Sequence, residues 1–344
     1  MATIRYPGLI DAHVHLREPG ATHKEDFISG SKAAVKGGFT FILDMPNNPI
    51  TTTTIARLHQ KVKLSKKAIC QVGFHFGTNG KNISQFPKAI INKNVFGLKL
   101  YCNHTTGEML IEDIVLLTKV FQNWPSTKPI LVHAEGIQLA AVIGLSHVYK
   151  RRLHVCHISQ AVEVELVRKA KKAGQSITAG VCPHHLFLTE KDIDKLGTWA
   201  MMKPPLGRKQ DQDALWKGLN DGTIDIVETD HAPHTKQEKA SKQPPFGVPG
   251  LETAVSLLYL GVKKSKIKKS TIRKLLFDNP KRIFNIPTQP NTYIEVDDKQ
   301  SWTVGEDGYQ TKSDWSPFEG WQLPAKVVTV VINGKTIISQ TKFL

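Results

Sequence analysis

Residues 8–20 read GLIDAHVHLREPG. The apolar residues Leu9, Ile10, Ala12 and Val14 make a strand-like run that ends on His13 and His15. Two histidines two residues apart on a strand point to the same side, where both imidazoles can hold one metal ion. An open doubly wound sheet would carry a glycine-rich phosphate loop after its first strand. This chain carries His-x-His there, which favours a closed barrel with chemistry at the strand ends.

The rest of the chain keeps the same rhythm. Apolar, β-branched runs occur at residues 9–14, 39–45, 68–76, 95–101, 129–133, 153–158, 176–181 and 223–229. Near-continuous apolar runs are expected of parallel strands covered on both faces. Helical spacing separates them, as in Phe27, Ala33, Ala34 and Val35, and in Val162, Leu166, Val167 and Ala170. Gly37-Gly38 and Gly174 stand where helices should stop. Eight such units predict an α/β fold, a (β/α)8 TIM barrel over residues 1–285, a size in keeping with the ~250 residues typical of that fold. Beyond it, Pro287, Gln289, Pro290 and Asn291 form a loop. Short alternating runs then follow at 292–296, 302–304 and 327–332, with Asn333-Gly334 as a hairpin signal. Residues 286–344 therefore read as a small C-terminal β-rich appendage.

Composition narrows the function. The 344 residues are 40% hydrophobic and 22% charged, with no apolar run near the ~20 residues of a membrane span. The N-terminus lacks the charged and apolar regions of a signal peptide, and the four cysteines form no CxxC pair. A reduced, cytoplasmic setting is expected. The net charge is +16, from 37 lysines against 9 arginines. Clusters such as Lys61, Lys63, Lys66 and Lys67, or Lys169, Lys171 and Lys172, carry no interleaved aromatics. Nucleic-acid readers favour arginine forks and aromatic platforms. The lysines therefore read as a solvated surface, with no nucleic acid and no membrane as partner, though they would help capture an anionic substrate.

Barrel active sites lie at the C-terminal strand ends. Asp230 closes the eighth run, which a barrel places beside the first, next to His13 and His15. His133 and His157 close the fifth and sixth runs and could hold a second ion. Lys99 ends the fourth in an apolar setting where an unpaired ammonium is costly. Its amine, once it has taken up CO2, becomes a carbamate whose two oxygens can bridge two cations. A lone strand-end histidine is usually structural; five such coincidences in barrel order point to a metal site. His184 and His185, being adjacent on what reads as an extended segment, should point oppositely and are read as structural or supporting.

At these residues the chain resembles the amidohydrolase superfamily and, within it, the dihydroorotases, nearest to the dihydroorotase domain of the animal multifunctional pyrimidine-synthesis protein. The strings are HVHLREPG, GLKLY, HAE, HVCH, PHHLFL, DHAPHT, PGLET, NPKRIF and SPFEG. The resemblance implies two zinc ions. His13, His15 and Asp230 would hold one, His133 and His157 the other, and carboxylated Lys99 would bridge them. It implies reversible cyclisation of N-carbamoyl-L-aspartate to L-dihydroorotate in pyrimidine synthesis, with Asp230 as the catalytic proton carrier. Arg17 would fork the substrate carboxylate; the bland alternative is an ion pair with Glu18 or Asp26. Asn47, His234 and Thr105 would complete the substrate shell. A homodimer, and aspartate transcarbamoylase as a partner, are within what the resemblance implies. The alternatives are a related cyclic amidase of the dihydropyrimidinase or allantoinase type, or an inactive scaffold.

Some positions depart from that pattern. The animal domain pairs the cysteine matching Cys156 with a glutamate on the seventh strand to hold an extra zinc. Here that position is Gly180, which argues against a third zinc. Lys203 replaces an arginine, Thr105-Thr106 replaces Thr-Phe, and Glu228 stands where a small residue is usual.

Overall fold

A computed structural model describes residues 3–104, 109–125 and 127–344. After a short first strand, Ile4–Pro7 (β1), come eight parallel strands. They are Leu9–Val14 (β2), Phe39–Asp44 (β3), Gln71–Gly77 (β4), Val95–Tyr101 (β5), Ile130–His133 (β6), Leu153–Val155 (β7), Ile177–Val181 (β8) and Ile226–Val227 (β9). They pair in chain order. The sheet closes where β9 meets β2. Val14 bridges His231 in parallel, and the His15 N–H donates to the His231 carbonyl at 2.8 Å. The fold is a TIM barrel.

The apolar runs became strands because both faces found cover. Ile10, Ala12, Phe41, Leu43, Leu131 and Ile226 pack together inside the barrel. Leu9, Val14, Phe39, Ile42 and Val95 belong to the core shared with the surrounding helices. Along β2 the phase changes midway, since pairing with β3 shifts register between Asp11 and Val14. The inward set passes from Ile10 and Ala12 to His13 and His15. Strict alternation would have turned the histidines outward.

The floor of the barrel is apolar. Ile283 and Phe284, from the helix Asn279–Phe284, join the interior cluster, and the Phe284 ring meets His75 and His154 at 5.5 and 5.2 Å. The catalytic face can only be the opposite one.

Helix α1 (Phe27–Lys36) shows how the local signals work. The Asp26 side chain accepts from the Ile28 and Ser29 N–H groups at its start. At its end Gly38 takes φ +90°, a conformation that favours glycine, whereas Gly37 has φ −79°. Gly37 is needed for space: a Cβ there would lie 2.0 Å from the Leu251 carbonyl oxygen.

The C-terminal strands are Tyr293–Asp297 (β10), Trp302–Thr303 (β11), Gln322–Leu323 (β12), Lys326–Ile332 (β13), Lys335–Ser339 (β14) and Lys342–Phe343 (β15). The antiparallel sheet runs β1-β10-β13-β14-β15, so its edge strand comes from the N-terminus, ahead of the barrel. Asn333 and Gly334 make the turn between β13 and β14, with φ +51° and +81°.

Away from the strand ends, Lys61 and Lys239 depart from the solvated-surface reading. Lys61 is wholly buried, 2.8 Å from Asp44 Oδ2, and it donates to the Met45 carbonyl and to Asn48 Oδ1 at 2.6 Å. Spacing along a polar helix face does not reveal that a buried acid waits beneath it. Among the described residues, no helix is long and apolar enough to cross a membrane.

Two stability effects follow. Gly37→Ala should cost about 1–3 kcal/mol by overpacking, seen as a lower thermal midpoint; an unchanged melt would mean the Leu251 segment yields freely. Burial holds His75 down at about 3 and His185, on the helix Pro183–Phe187, at about 4. Unfolded chains protonate these near 6.5, so the unfolded state binds more protons below that pH and stability falls as pH drops. Each should cost about 1.4 kcal/mol per pH unit between 6.5 and its folded value. Urea midpoints of the metal-free protein at pH 7.5, 5.5 and 4.5 should decline steeply.

Candidate metal centre

The C-terminal strand ends bring His13, His15, Lys99, His133, His157 and Asp230 together. His15 Nε2 lies 2.9 Å and His13 Nε2 3.4 Å from Asp230 Oδ1. The ligand atoms of these three residues fall within 4.8 Å of one another. His133 Nδ1 lies 3.1 Å from His157 Nε2. The His13 and His157 rings, 5.1 Å apart, join the two groups into one cluster.

Backbone conformation aims some of these residues. Cys156 and His157 are neighbours, and in a regular strand only one could face inward. His157 has φ +35°, Asp230 +46° and Arg17 +60°. Such conformations cost roughly 1–3 kcal/mol each in non-glycine residues, and here they fall at strand ends that turn side chains into the site.

The donors are chemically ready for a cation. Burial, reinforced by the nearby Lys99 charge, lowers His13 to about 4. Burial also lowers His15 and His133, and takes His157 well below the usual imidazole range. All four are neutral at pH 7, the metal-binding form. Burial opposes ionisation of Asp230, but His13, His15 and His184 together hold its carboxyl below the usual range. His13 Nδ1, His133 Nε2 and His157 Nδ1 are buried without a hydrogen-bond partner. Lys99 is wholly buried, with its Nζ 3.2 Å from Cys156 Sγ and 4.9 Å from the Tyr101 ring centre. No carboxylate among the described residues forms an ion pair with it within 4.0 Å. An isolated ammonium beside histidines that could hold a cation is a poor fit, and a carbamate on the same nitrogen would be a good one.

These groups open onto one small pocket. His13, His15, Arg17, Asn47, Tyr101, His133, His157, Lys203, Asp230 and Phe246 are on its wall. Neither nearby acid takes Arg17. Glu18 pairs with Lys67 at 2.8 Å, while Asp26 caps α1 and meets Lys312 at 2.6 Å. Arg17 Nε donates instead to the Pro233 carbonyl at 3.0 Å, and Nη2 lies 3.0 Å from His234 Nε2. His234 lies beside Arg17, with Nε2 also 3.0 Å from the Phe246 carbonyl oxygen and Nδ1 3.1 Å from Lys24 Nζ. Asn47 Oδ1 lies 2.7 Å from His15 Nδ1, which leaves Nε2 to face Asp230. Thr105 lies outside the described residues.

Several contributors were not singled out from sequence. Tyr101 could have been, since it lies two residues after Lys99 on the same strand face. Lys203 and Phe246 stack, with Nζ 5.1 Å from the ring centre, and come from segments with no strand pattern to place them. His184 and His185 are helical rather than extended, so their rings lie 4.3 Å apart instead of pointing oppositely. Gly180 and Glu228 meet in space: a Cβ on Gly180 would lie 2.4 Å from Glu228 Oε1. The carboxylate missing from β8 is supplied from the end of β9, and His154, Cys156 and Glu228 place ligand atoms within 4.8 Å of one another. The ground for excluding a third metal, the lack of a carboxylate beside Cys156, does not hold.

Comparison with known proteins agrees with this architecture. Residues 4–258 match the model of the amidohydrolase family. The multifunctional protein CAD of Squalus acanthias is 42% identical over 96% of this chain, which spans 15% of that protein. A dihydroorotase of Lactobacillus acidophilus is 34% identical over 96% of this chain and 87% of its own length. The L-hydantoinase (dihydropyrimidinase) of Arthrobacter aurescens superposes with a TM-score of 0.94 at 21% identity, over 99% of this chain and 87% of that one.

Asn47→Ala should free the His15 ring and weaken divalent-metal binding about 10- to 100-fold, read by competition with a fluorescent chelator. Unaltered affinity would show that His15 is positioned by other contacts.

Proposed function

The chain belongs to the amidohydrolase family, and on that premise we propose that it is a zinc-dependent dihydroorotase, interconverting N-carbamoyl-L-aspartate and L-dihydroorotate in pyrimidine synthesis. The observation that carries this reading is the buried histidine–aspartate cluster sharing one small pocket with Arg17, whose fork neither Glu18 nor Asp26 engages. The dihydroorotase relative, matched over most of both chains, supports the substrate.

In this reading His13, His15 and Asp230 would hold one zinc, and His133 and His157 a second. Lys99, carboxylated at Nζ by CO2 with release of a proton, would offer its carbamate oxygens as further ligands. Bound zinc supplies positive charge that acidifies water and polarises an amide carbonyl. The remaining work belongs to the chain. Arg17 receives the substrate carboxylate, with the Pro233 carbonyl accepting its Nε–H from behind. Asp230, ionised and facing the pocket, takes the proton of the attacking water and passes it to the leaving ring nitrogen. In the cyclising direction it takes the ureido proton. General acid–base transfer of this kind is worth about 10²–10⁴-fold. Tyr101, Lys203 and Phe246 also line the pocket, and Thr105 keeps the substrate-binding role that the resemblance implies. A homodimer and an aspartate transcarbamoylase partner are part of the same reading, and the match to a multifunctional protein supports a partner enzyme.

Purified protein carrying about two zincs per chain should turn over dihydroorotate and leave dihydrouracil almost untouched. Arg17→Ala should lower kcat/KM for dihydroorotate about 10²-fold, with no comparable effect on a substrate lacking a carboxylate. Failure to turn over dihydroorotate with both zincs bound would sink the activity. Less than about one zinc per chain would favour an inactive scaffold.

A further inference from the structure

Glu228 is a carboxylate beneath the cluster to which the reading above gives no task. It follows β9 directly and is wholly buried. Its Oε1 accepts the His157 backbone N–H at 2.6 Å. Its Oε2 faces His13 Nδ1 at 3.7 Å and His154 Nε2 at 3.5 Å. All three atoms, Glu228 Oε2, His13 Nδ1 and His154 Nε2, are buried and otherwise without a hydrogen-bond partner.

We infer that Glu228 is a positioning residue that sets the tautomer of His13 and anchors His157, so that one buried carboxylate organises both halves of the metal centre. The chemistry follows from which atoms can satisfy which. A buried carboxylate oxygen without a donor is costly, and imidazole N–H groups are what face Oε2. A proton on His13 Nδ1 answers that need and leaves the Nε2 lone pair directed at Asp230 and the pocket. The opposite tautomer would aim an N–H at Asp230, which already meets His15 Nε2 at 2.9 Å, and would leave a lone pair against Glu228. Carboxylates holding the distal nitrogen of a metal-binding histidine fix ring orientation and raise ligand basicity. Asn47 does the same for His15 with an amide oxygen.

The site is built to admit this side chain. Gly180, on β8, leaves the volume that Glu228 fills: a Cβ would sit 2.4 Å from Oε1 and 2.5 Å from Cδ. Glycine at 180 and glutamate at 228 are thus a steric pair, and even a methyl group at 180 must displace the carboxylate. The contact with the His157 N–H also falls where the backbone takes φ +35°. A charged acceptor on that amide helps hold the turn that brings His157 inward.

The inference rests on His13 and His157 being metal ligands, and its test separates the two questions. In metal-free protein labelled with ¹⁵N-histidine, two-bond proton–nitrogen correlations should show His13 protonated at Nδ1. In E228Q that preference should weaken or reverse. Zinc affinity by chelator competition should fall about 10- to 100-fold in E228Q and in G180A, with the zinc count at saturation unchanged. Circular dichroism and a cooperative melt check that each variant folds. His13 protonated at Nε2 in the wild type would overturn the proposal, as would E228Q affinity within threefold of wild type. A saturating equivalent lost in E228Q would overturn it in favour of direct ligation. If E228Q fails to fold, the wild-type tautomer still decides. A chain that binds no zinc would defeat the ligand reading, while the tautomer would still report on Glu228.

Discussion

The geometry of the site hangs on one clasp across the seam of the barrel. Asp11, buried in β2, accepts Thr229 Oγ1–H at 2.5 Å and Thr229 N–H at 3.2 Å from the segment after β9. It also accepts the His13 N–H at 3.1 Å. Burial pushes its carboxyl up to about 7, so it is kept there at a cost that its hydrogen bonds must offset. The return is registration of the first and last strands. With Asp11 fixed to Thr229, the next residues along each strand, His13, His15 and Asp230, arrive within ligand distance of one another. Without that closure the His-x-His pair would share a sheet with no partner.

Around the clasp, the site is a set of neutral imidazoles held by oxygen acceptors. Asn47 takes His15, and the Ala12 carbonyl takes His75. Burial keeps the rings uncharged, and the carboxylates beside them stay ionised because those imidazoles offset their desolvation. The two effects sustain each other. A dry pocket favours neutral histidine, and a cluster of oriented rings favours an ionised aspartate among them. The arrangement gains most from a divalent cation, whose charge repays the burial of Asp230.

Much of this was legible in the chain. Strand runs, the Asn333-Gly334 turn and the ligand residue types follow from residue period and from local conformational preference, which neighbouring side chains seldom override in long apolar segments. The misreadings have a common cause. Lys61 reads as solvated because its acid, Asp44, sits on another element. His184 and His185 read as opposed because their segment lacks a long helical period, yet a five-residue helix turns the rings together. Arg17 has two acids close in sequence and pairs with neither, since α1 and Lys67 occupy them.

What the sequence determined by itself is the parts and their order: eight buried strands, a residue of metal-ligand type at the end of most of those that form the site, and a small sheet after them. What only the tertiary structure decided is phase and partnership. A register shift in β2 turns His13 and His15 inward where alternation would face them out, and the left-handed backbone at His157 does the same for the sixth strand. Glu228 fills the space left by Gly180, a pairing of residues 48 positions apart that no local pattern encodes. The physical reason is that strand periodicity and side-chain chemistry are short-range properties. Bulge positions, buried charge partners and steric complements are set by which surfaces meet once the barrel has closed.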